Sequence, residues 1–336
     1  MNAMASSMEK LRADVDIPVV PQADNQPGAV AALLAANQYY RGVPWPAPLD
    51  VTRHYLRVGD ARDLSWIDDA SVHLVVTSPP YWTLKRYRTS EGQLGEIQSY
   101  EAFLDELDKA WAECARVLVP GGRICCVVGD VCVPRRLTGH HHVMPLHADI
   151  AVRSRKIGLD YLTPILWYKI ANGVTEARGN GAGFYGKPYQ PGAILKNDVE
   201  HVLFLRKPGG YRSPSLMQRA LSALSRDEMK RWLRPAWTDI RGESTRNGHP
   251  APFPVKLAER LILLFSFAGD TVLDPFAGTG STSCAAIGTG RNSIACDIEP
   301  EYLRIAQSRL TLAIADRRPR GARTALMVVE QQCHID

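Results

Sequence analysis

The chain has 336 residues, an apolar fraction of 45% and a formal net charge of +5, values of an ordinary globular protein able to bury a core. No apolar run approaches the roughly 20 residues that a membrane span needs, and the N-terminus lacks the apolar centre of a signal peptide. We therefore expect a soluble, cytoplasmic protein. Its seven cysteines form no Cys-x-x-Cys pair, which argues against a disulfide framework and against a zinc site.

Positive charge is concentrated in the middle of the chain. Residues 151–246 hold 17 Lys and Arg against 8 Asp and Glu, so the remainder of the chain is slightly acidic. A basic region on a near-neutral body is typical of proteins that bind a polyanion. Charge alone leaves open the alternative of a solvated basic surface that has no partner.

The patterns of strands and helices predict the fold class. Residues 1–45 form a proline-punctuated arm with one helical candidate at 29–40. Strand and helix patterns then alternate, which predicts an α/β fold with a doubly wound, mostly parallel sheet. Strands are predicted at 55–58, 72–77, 124–128, 162–168, 199–205, 271–274 and 293–297, and helices at 100–118, 147–157, 254–265, 281–287 and 301–313.

Two long stretches interrupt this alternation. Residues 170–198 and 208–247 are irregular and basic, apart from a helical pattern near 224–233, and they are too long for ordinary connections. We expect them to be inserted recognition segments. The predicted core then comprises residues 46–169, 199–207 and 248–315, and residues 316–336 form a C-terminal tail.

A glycine turn follows the strand predicted at 271–274, with the sequence Phe-Ala-Gly-Thr-Gly. A helix that begins after such a turn places backbone N–H groups at the carboxyl edge of the sheet, where these folds bind ligands. Asp297 ends the next strand and is placed to accept hydrogen bonds from a ribose diol. The third glycine of a dinucleotide fingerprint is missing, which favours an adenosine ligand without phosphates, such as S-adenosylmethionine. A bare Gly-x-Gly would equally fit an ordinary turn that binds no ligand.

The hexapeptide Thr-Ser-Pro-Pro-Tyr-Trp closes the strand predicted at 72–77. Pro79 and Pro80 fix two φ angles and remove two backbone donors, so nearby carbonyls are left as fixed acceptors. The Ser78 hydroxyl adds a further hydrogen-bonding group, and the tyrosine and tryptophan offer flat faces. A planar –NH₂ group could donate to these acceptors while its ring stacks on an aromatic side chain. A simple strand-ending turn is the alternative for the hexapeptide alone.

Together the two turns resemble the motifs of amino-methylating DNA methyltransferases. In that family Ser/Asp/Asn-Pro-Pro-Tyr/Phe is the catalytic motif and Phe-x-Gly-x-Gly the cofactor motif. Here the catalytic motif comes first and the cofactor motif lies near the C-terminus, which is the circularly permuted order of the β-class. The resemblance covers roughly residues 50–315. It implies an enzyme that uses S-adenosyl-L-methionine, binds double-stranded DNA and flips the target base out of the stack.

The resemblance also implies roles for individual residues. The catalytic residues would be Ser78, Pro79, Pro80 and Tyr81, with the Tyr81 ring stacking on the target base. Cofactor contacts, including one from an acid to the adenine amine, would come from Asp60, Ala61, Thr77, Pro254, Asp274, Phe276, Ala277, Gly278, Gly280, Ser281, Thr282 and Asp297. DNA contacts are predicted for Trp82, Arg178, Lys187, Lys196, Arg231 and Arg234.

The first residue of the catalytic motif indicates the target base. Serine there is typical of family members that methylate cytosine N4, whereas Asp or Asn is typical of adenine-N6 enzymes. The resemblance therefore implies a site-specific cytosine-N4 methyltransferase of a bacterial or phage nucleoid. It is compatible with a restriction–modification system, a companion endonuclease and a homodimer. Adenine-N6 methylation by the same fold is one alternative, and a DNA-binding protein that has lost catalysis is another.

A run of histidines, His140-His141-His142, precedes His147 and could suggest a metal site. The chemistry of the family needs no metal, and a histidine-rich surface loop is the simpler interpretation. We therefore predict no metal in the catalytic site.

Overall fold

Strands and helices alternate along the chain in the computed structural model, which describes residues 28–83, 90–169, 198–243, 253–316 and 323–329 and the backbone of two short strands between them. The strands are β1 (Val51–Val58), β2 (Val72–Thr77), β3 (Leu118–Val128), β4 (Val131–Val133), β5 (His142–Met144), β6 (Asp160–Tyr168), β7 (Phe184–Tyr185), β8 (Ile194–Leu195), β9 (Val199–Arg206), β10 (Ala236–Trp237), β11 (Thr271–Asp274), β12 (Asn292–Asp297) and β13 (Arg323–Val329). The helices are α1 (Ala29–Tyr40), α2 (Tyr100–Val117), α3 (Arg135–Thr138), α4 (Leu146–Ser154), α5 (Leu216–Ser222), α6 (Arg226–Trp232), α7 (Val255–Phe265), α8 (Ser281–Thr289) and α9 (Pro300–Asp316).

Nine of these strands form one sheet in the order β10-β6-β9-β3-β2-β11-β12-β1-β13. Every neighbouring pair is parallel except the two pairs that β9 makes with β3 and β6. The predicted α/β fold with a mostly parallel sheet is therefore confirmed. The remaining short strands form two separate antiparallel pairs, β4 with β5 and β7 with β8.

Hydrophobic cores cover both faces of the sheet, as the apolar sequence of β2 requires. Val75 belongs to the core that α2 covers, whereas Leu74 and Val76 belong to the core under α7 and α8. Successive strand residues point to opposite faces, so a strand that is buried on both faces reads as a continuous apolar run. Helix α2 is capped by Ser99, whose side chain accepts a hydrogen bond from the Ala102 amide at 3.3 Å.

Residues 208–247 are more regular than the sequence analysis predicted. The helical pattern predicted near 224–233 is confirmed as α6. The segment also contains α5 and β10, which were not predicted, and β10 pairs in parallel with β6 at the end of the main sheet. Helix α5 packs against α1, where the buried Asn37 amide donates to the Ala220 carbonyl at 2.9 Å. Trp237 is 1% exposed, so this segment contributes to the core of the protein.

The predicted C-terminal tail also contains regular structure. Residues 323–329 form β13, which pairs in parallel with β1 and is the outermost strand on that side of the sheet. Over the ranges that the structure describes, no helix combines the length and the apolar character that crossing a membrane requires. Five of the six cysteines in those ranges are buried.

Candidate active site

The two turns meet at the carboxyl edge of the sheet. Strands β2 and β11 pair directly, with Leu74 opposite Val272 and Val75 opposite Leu273, so the turns that follow them are neighbours. From β2 the chain continues to β3 on one side, and from β11 it continues to β12 on the other. This reversal is the switch point at which doubly wound sheets bind ligands.

A cavity lies between the two turns. Its walls include an acid from the end of β12, residues of both turns and aromatic side chains, namely Asp60, Ser78, Pro80, Phe276, Asp297 and Tyr302. A larger cavity of about 740 Å³ lies at the opposite, amino-terminal edge, where His73, Gly122 and Ser266 line it. We place the candidate site in the smaller cavity because both turns and the acid predicted to bind ribose converge there.

Asp297 lines this cavity and is held by two backbone donors. Its Oδ2 accepts from the Gly278 amide at 2.7 Å, and its Oδ1 accepts from the Glu299 amide at 3.0 Å. Burial raises the pKa of Asp297 to about 6, although these two hydrogen bonds oppose the shift. Each carboxylate oxygen keeps capacity for a second hydrogen bond, so the side chain can accept from both hydroxyls of a ribose diol.

Asp274 lies behind the cavity wall and makes hydrogen bonds to β2, to α8 and to the glycine turn. It accepts hydrogen bonds at 2.7 Å from both Thr77 Oγ1 at the end of β2 and Thr282 Oγ1 on α8, and at 3.2 Å from the Phe276 amide. Burial raises its pKa to about 6, against these hydrogen bonds. The two threonines and Asp274, all predicted to bind cofactor, are buried side chains that fix the position of the turns.

The glycine turn is packed against its surroundings on the side away from the cavity. Gly280 has a φ of +79°, and a Cβ added there would lie 2.9 Å from the Ala306 Cβ of α9. The Ala277 amide donates to the Cys296 carbonyl at 3.0 Å, and Ser281 is 5% exposed. Pro254, which is the residue before α7, lies outside the set of residues that line the cavity.

Asp60 is engaged by Arg62, a residue that the sequence analysis missed. The Arg62 guanidinium approaches both carboxylate oxygens, with Nη2 2.5 Å from Oδ2 and Nε 2.9 Å from Oδ1. It also donates to Glu106 at 2.5 Å and to the Gly92 carbonyl at 3.1 Å. Arg62 therefore holds Asp60 at the cavity, where Ala61 also contributes to the wall.

In the proline turn, Ser78 and Tyr81 are joined by their hydroxyl groups. Ser78 Oγ donates to the Tyr81 hydroxyl at 3.2 Å, and that hydroxyl lies 3.3 Å from Glu200 Oε2 and 3.5 Å from the Val127 carbonyl. Tyr81 is 6% exposed, and its ring belongs to the hydrophobic core that α2 covers. Stacking of this ring on a target base stays a prediction. Glu200 belongs to β9, and no motif in the sequence indicates that it reaches the proline turn.

Trp82 has a φ of +45°, the left-handed region that residues with a side chain rarely adopt. Its indole Nε1 donates to the Ile97 carbonyl at 2.8 Å, and its ring packs edge-on against Tyr100 at 5.2 Å. These contacts hold the indole inward, towards α2. DNA contact by Trp82 stays a prediction.

Three potential metal ligands come together beside the catalytic turn. His147 donates to Asp130 Oδ1 at 2.6 Å and stacks on His201 with ring centroids 3.7 Å apart and planes 5° apart. Their ligand atoms lie within 4.8 Å of one another, and burial lowers the pKa of His201. Because the rings are parallel, their in-plane lone pairs do not converge on one point. The arrangement fits a carboxylate–imidazole pair with a stacked neighbour.

The predicted DNA contacts fall into two groups. Arg231 and Arg234 are exposed, and each donates from Nε to a backbone carbonyl four residues earlier, at 3.3 and 3.1 Å. They precede β10, which runs parallel to β6, so they lie towards the amino edge of the sheet. The others, Arg178, Lys187 and Lys196, lie outside the described residues. Both groups stay predictions.

The α/β fold thus brings the proline turn, the glycine turn and Asp297 to one cavity at the carboxyl edge of the sheet. A sequence model of the DNA methylase family matches residues 72–308, more than half of the chain. M.MjaI, a type II methyltransferase of Methanocaldococcus jannaschii, is 36% identical over 289 residues, which cover 77% of this chain and 91% of the relative. The DNA adenine methyltransferase YhdJ of Escherichia coli is 28% identical over 266 residues, covering 76% and 82%. The chain therefore belongs to the DNA methylase family.

A solved structure agrees with this assignment. The crystal structure of TTHA0409 from Thermus thermophilus, complexed with S-adenosyl-L-methionine, matches this fold with a TM-score of 0.68 at 47% sequence identity. The match covers 84% of this chain and 100% of that one.

Proposed function

We propose that this DNA methyltransferase transfers a methyl group from S-adenosyl-L-methionine to N4 of cytosine in double-stranded DNA. The observation that carries the proposal is that Asp297 and Ser78 line the same cavity. One wall then offers acceptors for a ribose, and the opposite wall offers acceptors for an amine. A methyl donor and a planar amine bound there would be neighbours.

The residues of the cavity fit S-adenosyl-L-methionine. Asp297 can accept from the ribose hydroxyls and Asp60 from the adenine amine, while Phe276 and Tyr302 supply flat apolar surface. When bound, the cofactor supplies an electrophilic methyl group on a sulfonium. The crystal structure of TTHA0409 contains this cofactor, and that protein shares 47% of its sequence with the matched region.

The catalytic turn would act by positioning an extruded base. Pro79 and Pro80 have no N–H groups, so the backbone at these positions accepts and does not compete as a donor. The Ser78 carbonyl and hydroxyl would accept the amine hydrogens, which orients the nitrogen lone pair towards the methyl group. The methylated nitrogen is cationic and acidic, and it loses its proton to solvent water. The base must be flipped out to reach the cavity, because its amine is otherwise paired inside the duplex.

Ser78 at the first motif position supports cytosine as the target base. Adenine N6 is the second candidate, and a specific observation favours it: YhdJ, at 28% identity, is a DNA adenine methyltransferase. Relatives such as M.MjaI are type II methyltransferases, which supports a role in a restriction–modification system with a companion endonuclease. The intact hydrogen bond between Ser78 and Tyr81 disfavours a protein that only binds DNA.

Nucleoside analysis separates these candidates. The purified chain is incubated with S-adenosyl-L-methionine and mixed-sequence duplex DNA, and the DNA is digested and analysed by mass spectrometry. We expect N4-methylcytosine. If N6-methyladenine alone is found, the proposed base is wrong while the methyltransferase activity stands. The Ser78→Ala variant serves as the control for contaminating activity.

A further inference from the structure

Glu200 is a buried acid that contacts the catalytic turn from a distant part of the chain. It lies at the start of β9 and is 7% exposed. Its Oε1 accepts from the Lys169 ammonium at 2.7 Å, and its Oε2 lies 3.3 Å from the Tyr81 hydroxyl. A hydrogen-bonded chain thus runs from Ser78 through Tyr81 and Glu200 to Lys169.

Lys169 and Glu200 determine the direction of the hydrogen bonds in this chain. An ammonium can only donate and a carboxylate can only accept. Glu200 Oε2 is charged and lies nearer to the Tyr81 hydroxyl than the Val127 carbonyl does, which favours donation of the single Tyr81 proton to Glu200. The Tyr81 oxygen then accepts from Ser78. Once the Ser78 proton is donated to Tyr81, the lone pairs of Ser78 Oγ are available to the cavity.

We propose that Glu200 is a positioning residue that sets this direction and thereby makes Ser78 Oγ an acceptor for the amine of the target base. The inference rests on the proposed function, since it concerns how that amine is received. An opposite direction would present the Ser78 proton to the amine, and two donors would then face each other.

A second acceptor reinforces the effect of Glu200 but is weaker. The Val127 carbonyl lies 3.5 Å from the Tyr81 hydroxyl, which is longer than the distance to Glu200. Hydrogen bonds to a charged acceptor are also roughly twice as strong as those between neutral groups. The backbone leaves room for the acid, since a Cβ added at Gly129 would lie 3.2 Å from the Glu200 Cγ.

The variant Glu200→Gln tests the direction of the hydrogen bond between residue 200 and Tyr81, because glutamine keeps a side chain of the same size there. Lys169 can only donate, so it binds the amide oxygen of the glutamine. The amide nitrogen then faces Tyr81 and donates to it, which reverses the hydrogen bond. We expect the single-turnover rate of methyl transfer to fall about tenfold, the factor that one misdirected hydrogen bond produces. The affinity for S-adenosyl-L-methionine is expected to stay unchanged.

Removing Lys169, which fixes the orientation of the glutamine amide, should restore the rate of methyl transfer. In Lys169→Met combined with Glu200→Gln, the amide is free to rotate and present its oxygen to Tyr81. We expect this double variant to recover to within about threefold of the wild-type rate. Lys169→Met alone keeps the carboxylate as acceptor, so it is expected to retain turnover even though it is less stable.

Two further variants isolate the effect. Tyr81→Phe removes the hydroxyl, so adding Glu200→Gln to it should cause no further loss of turnover. Asp160→Asn disrupts the pair that Asp160 makes with Arg206 at 2.7 Å, which joins the same two strands at their other end. This variant shows whether weaker contact between β6 and β9 by itself lowers turnover, because Asp160 does not contact the catalytic turn. We expect its turnover to be unchanged.

Three results would overturn the inference. One is a wild-type rate in Glu200→Gln. Another is an equal loss of rate in Glu200→Gln and in the double variant that also lacks Lys169. The third is a loss of rate in Lys169→Met alone as large as the loss in Glu200→Gln. Melting temperature and cofactor binding are measured for each variant, so that a folding defect is recognised. If the wild-type chain fails to methylate DNA at all, the proposed function is wrong instead.

Discussion

Replacing Asp297 by asparagine is expected to weaken cofactor binding and to remove its dependence on pH. The carboxylate oxygens accept from the amides of Gly278 and Glu299 at 2.7 and 3.0 Å, and both have capacity for a ribose hydroxyl. Asparagine keeps one of these acceptors. The loss of one hydrogen bond to a charged group is worth about 1.5–3 kcal/mol, so the Kd for S-adenosyl-L-methionine should rise by roughly 10- to 100-fold.

The pH dependence follows from the pKa of Asp297, which burial raises to about 6. Ribose hydroxyls donate to the ionised carboxylate, so protons compete with the cofactor. Wild-type affinity should therefore be constant above about pH 7 and should weaken as the pH falls through 6. The Asp297→Asn variant has no carboxyl group to titrate there, and its affinity should change much less over the same range.

Isothermal titration calorimetry between pH 5 and pH 8 is the measurement. Asp274→Asn is the matched control, because Asp274 also has a pKa raised to about 6 by burial but lies behind the cavity wall. That variant should keep the pH dependence of binding. The reasoning is refuted if Asp297→Asn binds the cofactor as tightly as wild type, or if its affinity still falls through pH 6.

Three further outcomes are expected. Ser78→Ala should lower the single-turnover rate at least about tenfold without changing the Kd for S-adenosyl-L-methionine, and unchanged turnover would remove Ser78 from the mechanism. Thr77→Val removes a 2.7 Å hydrogen bond to the buried Asp274, so urea denaturation should report an unfolding free energy lower by about 1.5–3 kcal/mol; no loss would contradict this role. The pKa of Asp274 in the fold, about 6, exceeds the value of about 3.9 for an unfolded chain. Its contribution to stability is thus fully present below about pH 4 and is lost as the pH rises to 6. Asp274→Asn should therefore reduce the fall in unfolding free energy between pH 4 and pH 6. An unchanged dependence of the unfolding free energy on pH would be evidence against this role of Asp274.

The central strands and the two turns could be predicted because their signals are local. Val72–Thr77 is a continuous apolar run that ends at paired prolines, and Thr271–Asp274 runs into the glycine turn. Their meeting in space required more than periodicity, and it followed from the resemblance to a family with a known order of motifs. The structure then supplied the direct pairing of β2 with β11.

Some elements had a signal that the sequence analysis did not use. Helices α5 and α6 each begin with a capping box, Ser215 with Gln218 and Ser225 with Glu228. The helical pattern near 224–233 predicted α6, whereas α5, which has only seven residues, is too short to show a clear helical period. Strand β13, Arg323–Val329, ends in a run of five apolar residues within the segment that was predicted to be a tail.

Other features could not be predicted from local patterns. Glu200 reaches Tyr81 only because β9 runs antiparallel to β3, with His201 opposite Val128. The antiparallel orientation of β9 depends on how the whole sheet assembles. The sequence pattern of its eight residues is the same for either orientation. Arg62 is close to Asp60 in sequence, but its contact with Glu106 on α2 depends on tertiary packing. An isolated arginine near an acid carries too little information to predict such a network.

The most direct test of the account measures transfer of a radiolabelled methyl group from S-adenosyl-L-methionine to mixed-sequence duplex DNA. We expect saturable incorporation by the wild-type chain. Asp297→Asn should regain its rate at a sufficiently high cofactor concentration, whereas Ser78→Ala should not. Absence of incorporation by the wild-type chain, or full activity of Ser78→Ala, would contradict a methyl transfer that takes place between the two turns.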